Sequence, residues 1–303
     1  MNTGSVHSIF SRFAVWLGHD EQCSVEQIVV PRSLLRPLRV LWPVLVIGMQ
    51  LPAQTADTTR EKYLLALPPD IEVYRLDTQI SPGSSSGTPT AYGAELGDVF
   101  FGAGYQARTR YGNLTDGDAY AGIGLGNSRR YVGIELVYTS FTTVRHGFFK
   151  QGAFSFKIHR DLPGNFAIAY GWEDAIHSSG TDGGSSQYGV VTKYIPTRRD
   201  GGYFLSSITV SAGLGSDRFL AEENFYAGKN GVNGFGSIGV RILKPISFIA
   251  DWTGQDLMLG ASIVPFPKIP FVITPAYADV TGSAGDGARF VMGAGFDFRL
   301  FNH

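Results

Sequence analysis

The chain has a single cysteine, Cys23, which excludes an internal disulfide framework and any cysteine-rich metal site. Charge is scarce as well. Asp, Glu, Lys and Arg make up 17 % of the 303 residues, below the ~25 % of a soluble globular protein. The two signs nearly cancel, at a formal net charge of −1, so the basic footprint of a nucleic-acid-binding protein is missing and no nucleic-acid partner is expected. Mean hydropathy is near zero, which excludes a helical membrane protein. Glycine is abundant, at 39 residues, and aromatics reach 13 %. Few charges with much glycine and many aromatics are the composition of an all-β protein, transmembrane barrels included.

One apolar run stands out. "RPLRVLWPVLVIGMQLPAQTAD" opens at Arg36 with basic residues, continues apolar from Val40 to Leu51 and ends in small residues. This is the layout of a secretory signal peptide, expected over 36–56 with cleavage after Ala56. The run is too short to span a bilayer, which takes about 20 residues, and Pro43 argues against a packed helix. Residues 1–35 show no periodic pattern and are expected to precede the true start, with Val30 as the alternative start.

From Asp98 onward, segments of about eight to twelve residues alternate with period two, the signature of strands. "DVFFGAGYQ" sets Val99, Phe101, Ala103 and Tyr105 against Asp98, Gly102, Gly104 and Gln106. "GAFSFKIHR" sets Phe154, Phe156 and Ile158 against Ser155, Lys157 and His159. "GNFAIAYGWE" sets Phe166, Ile168, Tyr170 and Trp172 against Ala167, Ala169, Gly171 and Glu173. One face is large and apolar; the other is small, with an occasional charge. A sandwich would turn the large face into a core, whereas a membrane barrel turns it to lipid and confines the small, charged face to a lumen. Alternation alone does not separate the two.

The signal segment and the last strand do. In "RFVMGAGFDFRLFNH", Phe290, Met292, Ala294, Phe296, Phe298 and Leu300 share one face, and Arg289, Asp297 and Arg299 lie on the other. With Gly295, Phe298 and Leu300 in a Gly-x-x-Φ-x-Φ pattern, the chain resembles bacterial outer-membrane β-barrel proteins over roughly residues 98–301. The resemblance implies export, insertion by the barrel assembly machinery and contact with outer-membrane lipid, with Gly295, Phe298 and Leu300 as the assembly signal.

The expected fold is therefore a transmembrane antiparallel up-and-down β-barrel of about 12 strands, over 98–106, 118–125, 130–139, 152–159, 164–172, 187–194, 203–214, 234–243, 246–252, 255–263, 269–277 and 289–300. Connections alternate short and long, as such barrels require. The exception is Thr253-Gly254, a tight turn where a long loop is expected. Basic residues gather in the short turns, at Arg129, Arg130, Arg160, Arg198, Arg199, Lys244 and Lys268. Residues 57–97 are expected to form a periplasmic lead or a lumen plug, with "SPGSSSGTP" a flexible linker by composition. The barrel itself is expected over 98–303.

The expected lumen charges are Asp98, Glu135, Glu173, Asp251 and Asp297 against Lys157, Lys193, Arg241 and Arg299, with His159. Twelve strands fall between filled eight-stranded barrels and open sixteen-stranded porins. The leading functional expectation is a narrow diffusion channel for small polar solutes, without cofactor or metal. A filled barrel with a structural or assembly role, linked to cell-surface glycans, is the alternative. "DRFLAEENFYAGKNG" can fold in as a constriction or bind a partner outside. A hydrolase at the rim would draw on His146, Asp174, His177, Asp182 and Asp286, but their spacing matches no catalytic motif. "YAGIGLG" from Tyr120 is not a dinucleotide fingerprint, because no helix pattern follows it.

Overall fold

The computed structural model describes residues 81–110, 112–141, 151–178, 185–197, 204–285 and 287–300. The expected signal segment, residues 1–80 as a whole, and His146, Asp182, Arg198, Arg199 and Asp286 lie outside the described residues. Twelve antiparallel strands close into a barrel in which each strand pairs with its sequence neighbours and β1 pairs with β12. They are β1 Asp98–Gln106, β2 Asp116–Gly126, β3 Gly133–Ser140, β4 Gly152–Leu162, β5 Phe166–His177 and β6 Ser186–Pro196, then β7 Ser207–Gly215, β8 Asn233–Leu243, β9 Ile246–Trp252, β10 Leu257–Ile263, β11 Phe271–Ala278 and β12 Arg289–Arg299. Among the described residues, helix is confined to a 3₁₀ turn, Asp217–Phe219, and one short helix, α1, Glu222–Tyr226, both between β7 and β8. β1 and β9 start and end where the alternation places them; each other strand is displaced at one or both ends, by one to five residues.

Period-two alternation sorts the side chains as expected. Phe101, Ile123, Leu136, Phe154, Ile168, Ile238, Phe248, Leu259, Tyr277 and Phe298 are exposed on the outside. Asp98, Glu135, Ser155, Lys157, His159, Thr192, Ser237 and Asp251 are buried on the inside. The inner face is less uniformly small than the alternation suggests. Phe100, Tyr120, Tyr188 and Phe235 also point inward and are buried. Each has a glycine directly across the strand pair: Phe100 faces Gly122, Tyr120 faces Gly102, Tyr188 faces Gly171 and Phe235 faces Gly213. A Cβ at any of these glycines would collide with the facing ring. The lumen glycines are therefore the sockets in which lumen aromatics lie flat, a cross-strand pairing that stabilises an otherwise weak strand position.

The seam between β1 and β12 is fully registered, from Asp98 opposite Arg299 to Gln106 opposite Val291. On its outer side Phe101 stacks on Phe296 and Phe298, at centroid distances of 5.3 and 5.6 Å, which adds to burial of the edge. One end of the barrel carries the long connections and the other the short turns and both barrel termini.

Candidate functional site

Among the described residues, charged groups are gathered and buried in the lumen, and it is occupied. Residues 82–94 are buried without a break. Ser81 lies at the short-turn end, where Arg241 Nη1 donates to its hydroxyl at 3.3 Å while the same guanidinium holds the Lys244 carbonyl. The Gly83 N–H donates to Ser262 Oγ at 2.7 Å. The chain then climbs to Asp251, near the long-loop end of β9. Asp251 Oδ2 accepts from the backbone N–H of Ser86 and Gly87, at 2.7 and 2.6 Å, and from the Ser86 hydroxyl at 2.8 Å. The tip is a turn closed on itself: Ser85 Oγ donates to the Thr88 carbonyl, and the Thr88 N–H returns a bond to Ser85 Oγ at 3.2 Å.

The chain descends along the opposite wall. The Ala91 N–H donates to Thr192 Oγ1 at 2.8 Å, the Tyr92 hydroxyl reaches the Asn165 carbonyl in the β4–β5 turn, and the Ala94 N–H donates to Glu135 Oε2 at 3.1 Å. Lys157 Nζ donates to the Tyr92 carbonyl at 2.8 Å, and His159 Nε2 meets the Ala94 carbonyl at 3.0 Å. The Leu96 N–H then bonds the Gly126 carbonyl, back at the short-turn end. Residues 81–97 thus form a re-entrant loop with both ends at one mouth. Burial, and Asp161 nearby, push the Tyr92 phenol above its ordinary range.

The run Ser81–Pro89, linker-like in composition, is therefore folded. Its small hydroxyl side chains and bare glycine amides give the lumen what it needs, because a buried backbone requires partners and these come from wall side chains. The wall is cut to receive it. A Cβ on Gly124 would strike the backbone of Ala94 and Glu95, and one on Gly239 would come within 2.7 Å of Ser84 Cα.

The expected lumen charges divide into four groups, one of which is Glu173 alone, held by Arg218. Glu135 and Lys157 form a buried ion pair at 3.2 Å and both hold the loop. His159, Arg241 and Asp251 also hold it directly. Asp98 pairs with Arg299 at 2.6 Å at the short-turn mouth, where Arg299 is exposed, and Asp297 follows the same inward alternation, half-buried. Lys193 is different: Thr192 takes the inward position, and Lys193 lies outside, its Nζ 3.9 Å over the Phe166 ring and bonded to the Gly164 carbonyl. The expected facing is one residue out there, with Thr192 in the lumen. Gly295 faces inward, buried, and Phe298 and Leu300 are exposed outside.

Arg218 was missed, because it sits in a long connection where no periodicity marks direction. The connection after β7 folds in. Arg218, Phe219 and Leu220 are buried, Arg218 holds the Glu173 carboxylate through Nε and Nη2 (the latter at 2.9 Å), and its Nη1 reaches the Gly87 carbonyl at the loop tip. Phe219 stacks on Phe235 at 4.3 Å. This explains the tight turn after β9. A Cβ on Gly254 would collide with the Phe219 carbonyl, and Asn233 Nδ2 donates to the Gly254 carbonyl at 3.0 Å. The infolded segment occupies the space a long β9–β10 loop would need. Beside it, Arg110 and Arg289 share the buried Asp256, at 2.6 and 3.6 Å.

Of the rim candidates, Asp174 and His177 are described, and their side chains do not pair. His177 Nδ1 lies 3.2 Å from the backbone carbonyl of Asp174, while the Asp174 carboxylate faces Ser155. Among the described residues no three His, Cys, Asp or Glu side chains converge as metal ligands would. No protein-family model matches this chain, and no curated protein matches it either.

Proposed function

We propose that the protein is a bacterial outer-membrane barrel, exported and inserted by the barrel assembly machinery, that spans the bilayer with its lumen filled by its own chain and serves a structural or assembly role. The observation that carries this is the inversion of the barrel. Large apolar side chains ring its outside on successive strands, and its charges are buried within. Soluble monomers do not expose a continuous apolar belt, whereas a lipid-facing barrel wall requires one. The filled lumen favours a closed barrel, since residues 82–94 occupy it and Arg218 and Phe219 cover the long-loop mouth.

A second reading, a narrow channel for small polar solutes, has its own support. Both ends of the re-entrant loop lie at the same mouth, so the loop can leave without threading, and the wall it would expose carries Glu135, Lys157, His159 and Asp251. Single-channel conductance in a planar bilayer tests both readings, on the refolded chain and on a variant with residues 83–92 replaced by a short Gly-Ser bridge. Silence from the unaltered chain with discrete steps from the bridged variant, heat-modifiable gel mobility showing both barrels folded, is the result expected of a barrel closed by its own loop. Silence from both would mean that the wall side chains close the lumen without the loop. Steps from the unaltered chain would overturn the closed barrel, and failure to enter bilayers at all would overturn the membrane reading.

A further inference from the structure

The basic residues of the short turns, distinctive in the sequence, form a ring. Going round the closed barrel, Arg130 stands in the β2–β3 turn, Arg160 near the end of β4, Lys193 near the end of β6, Lys244 in the β8–β9 turn, Lys268 in the β10–β11 turn and Arg299 at the end of β12. Arg299 is spent on Asp98 at the lumen mouth, which leaves five cations around the twelve strands. Arg130, Arg160, Lys268 and Arg299 are exposed. Among the described residues, the side chains of Arg130, Arg160 and Lys268 form no hydrogen bond or ion pair. The acids at this end do not balance them. Asp98 is buried against Arg299, Asp161 is taken by Arg129 at 3.6 Å, Glu95 is bonded by the Ser128 hydroxyl, and Asp297 is half-buried on the inner face. The other rim has the opposite sign among the described residues. Asp174, Asp217, Glu222 and Glu223 are there at least partly exposed, against Arg108 and Lys229, and Arg108 is spent on the Gly287 and Ala288 carbonyls.

On the membrane-spanning reading, on which this inference rests, we infer that the ring is a binding girdle for the anionic phospholipid headgroups of the leaflet at the short-turn end. Its shape selects the partner. A protein would engage one side of the barrel, whereas a leaflet surrounds it and meets cations placed on every side. The cations also sit at the right depth. Phe166, Leu243 and Phe298 end the outer apolar belt just inside the ring, and Tyr131, 73 % exposed, and Phe266 stand beside it. Lys193 lies along Phe166 with its ammonium over the ring, the posture of a side chain that keeps its stem on apolar surface and its charge at the water boundary. Arg130 and Arg160 present planar guanidinium forks suited to a phosphodiester. Among its described residues, the long-loop rim has an acidic excess and offers no such site.

The test is lipid selectivity by electron spin resonance, with the full chain refolded into phosphatidylcholine vesicles containing spin-labelled phosphatidylglycerol or spin-labelled phosphatidylcholine. The immobilised shell is expected to enrich phosphatidylglycerol several-fold, and 0.5 M salt should erode the preference, because exposed charges are screened within about 4–5 Å at that strength. The triple variant Arg130→Gln, Arg160→Gln, Lys268→Gln should lose most of it, at up to about fivefold per charge, while Lys229→Gln at the other rim leaves it intact. An immobilised shell with equal affinity for both lipids, or a preference unmoved in a folded triple variant, would overturn the girdle and leave the membrane reading standing. No immobilised shell at all would overturn both.

Discussion

Asp251 holds Ser86 twice through a single carboxylate oxygen, accepting from its backbone N–H at 2.7 Å and from its hydroxyl at 2.8 Å. The Gly87 N–H adds a third bond to the same atom. A fully buried wall residue thereby fixes the tip of a loop that enters from the far end of the barrel. Asp251→Ala would leave those donors without an acceptor, at about 1–3 kcal/mol for the buried groups affected. Hydrogen exchange should show the cost where it falls. The amides of Ser86 and Gly87 are expected to exchange at least tenfold faster, while those of β8 and β10 hold their protection. Unchanged exchange at 86 and 87 would mean that the tip is held by something other than Asp251.

The glycines of the wall give a sharper probe of the same loop. Gly239 and Gly124 are in strands with ordinary backbone angles, so a side chain is tolerated by the strand itself, yet a Cβ at either would meet the loop backbone. Gly239→Val and Gly124→Val should therefore expel or shift residues 83–95 and leave the barrel intact. Limited proteolysis is the measure: cleavage within 83–95 should appear in both variants and not in the parent, with the strands resistant. Loss of the barrel in both would show that loop and wall fold as one cooperative unit.

Much of this architecture was legible in the residues, and the part that was not has a physical cause. Strand count and side-chain facing follow from a period of two, which β1 and β9 obey to the residue. The expected facing does not hold at Lys193, where Val190, Val191 and Thr192 run apolar or β-branched through both faces and nothing in the sequence says which one looks inward. The lumen loop was hidden for a different reason. Its Ser, Gly and Thr are the residues of a flexible linker, and what orders them is a set of wall side chains 41 to 179 positions away in sequence. Arg218 was hidden likewise, in a loop whose folding depends on Phe219 finding Phe235 and Tyr188. Local composition carries no signal for partners so distant.

The Glu135–Lys157 pair carries a prediction about energetics. Both side chains are almost fully buried, 3.2 Å apart, and each also holds the loop. Removing one partner strands the other charge, at about 3–5 kcal/mol, whereas removing both costs much less. In urea titrations of the folded barrel, Glu135→Gln and Lys157→Met should each lower the midpoint strongly, and the double variant should recover part of the loss. Additive losses in the cycle would mean that the two residues act through separate contacts with Ala94 and Tyr92, with little direct coupling.

The outer belt yields the test on which the membrane reading depends most. Phe248 lies near the middle of β9, 54 % exposed on the outer face, with Ser247 and Ile249 buried behind it. In water, replacing an exposed Phe by Arg is close to neutral or favourable. In a bilayer the same change puts a cation near the hydrocarbon midplane, at a cost of about 2–4 kcal/mol. Phe248→Arg should therefore lower the urea midpoint of the vesicle-folded protein by that amount, while Phe248→Leu, which keeps an apolar side chain there, leaves it nearly unchanged. The cost should shrink toward the belt's edge, so Phe298→Arg, beside the basic ring, should lose about 1 kcal/mol or less. A Phe248→Arg protein as stable as its parent would place this face in water and remove the main support for a bilayer-spanning barrel.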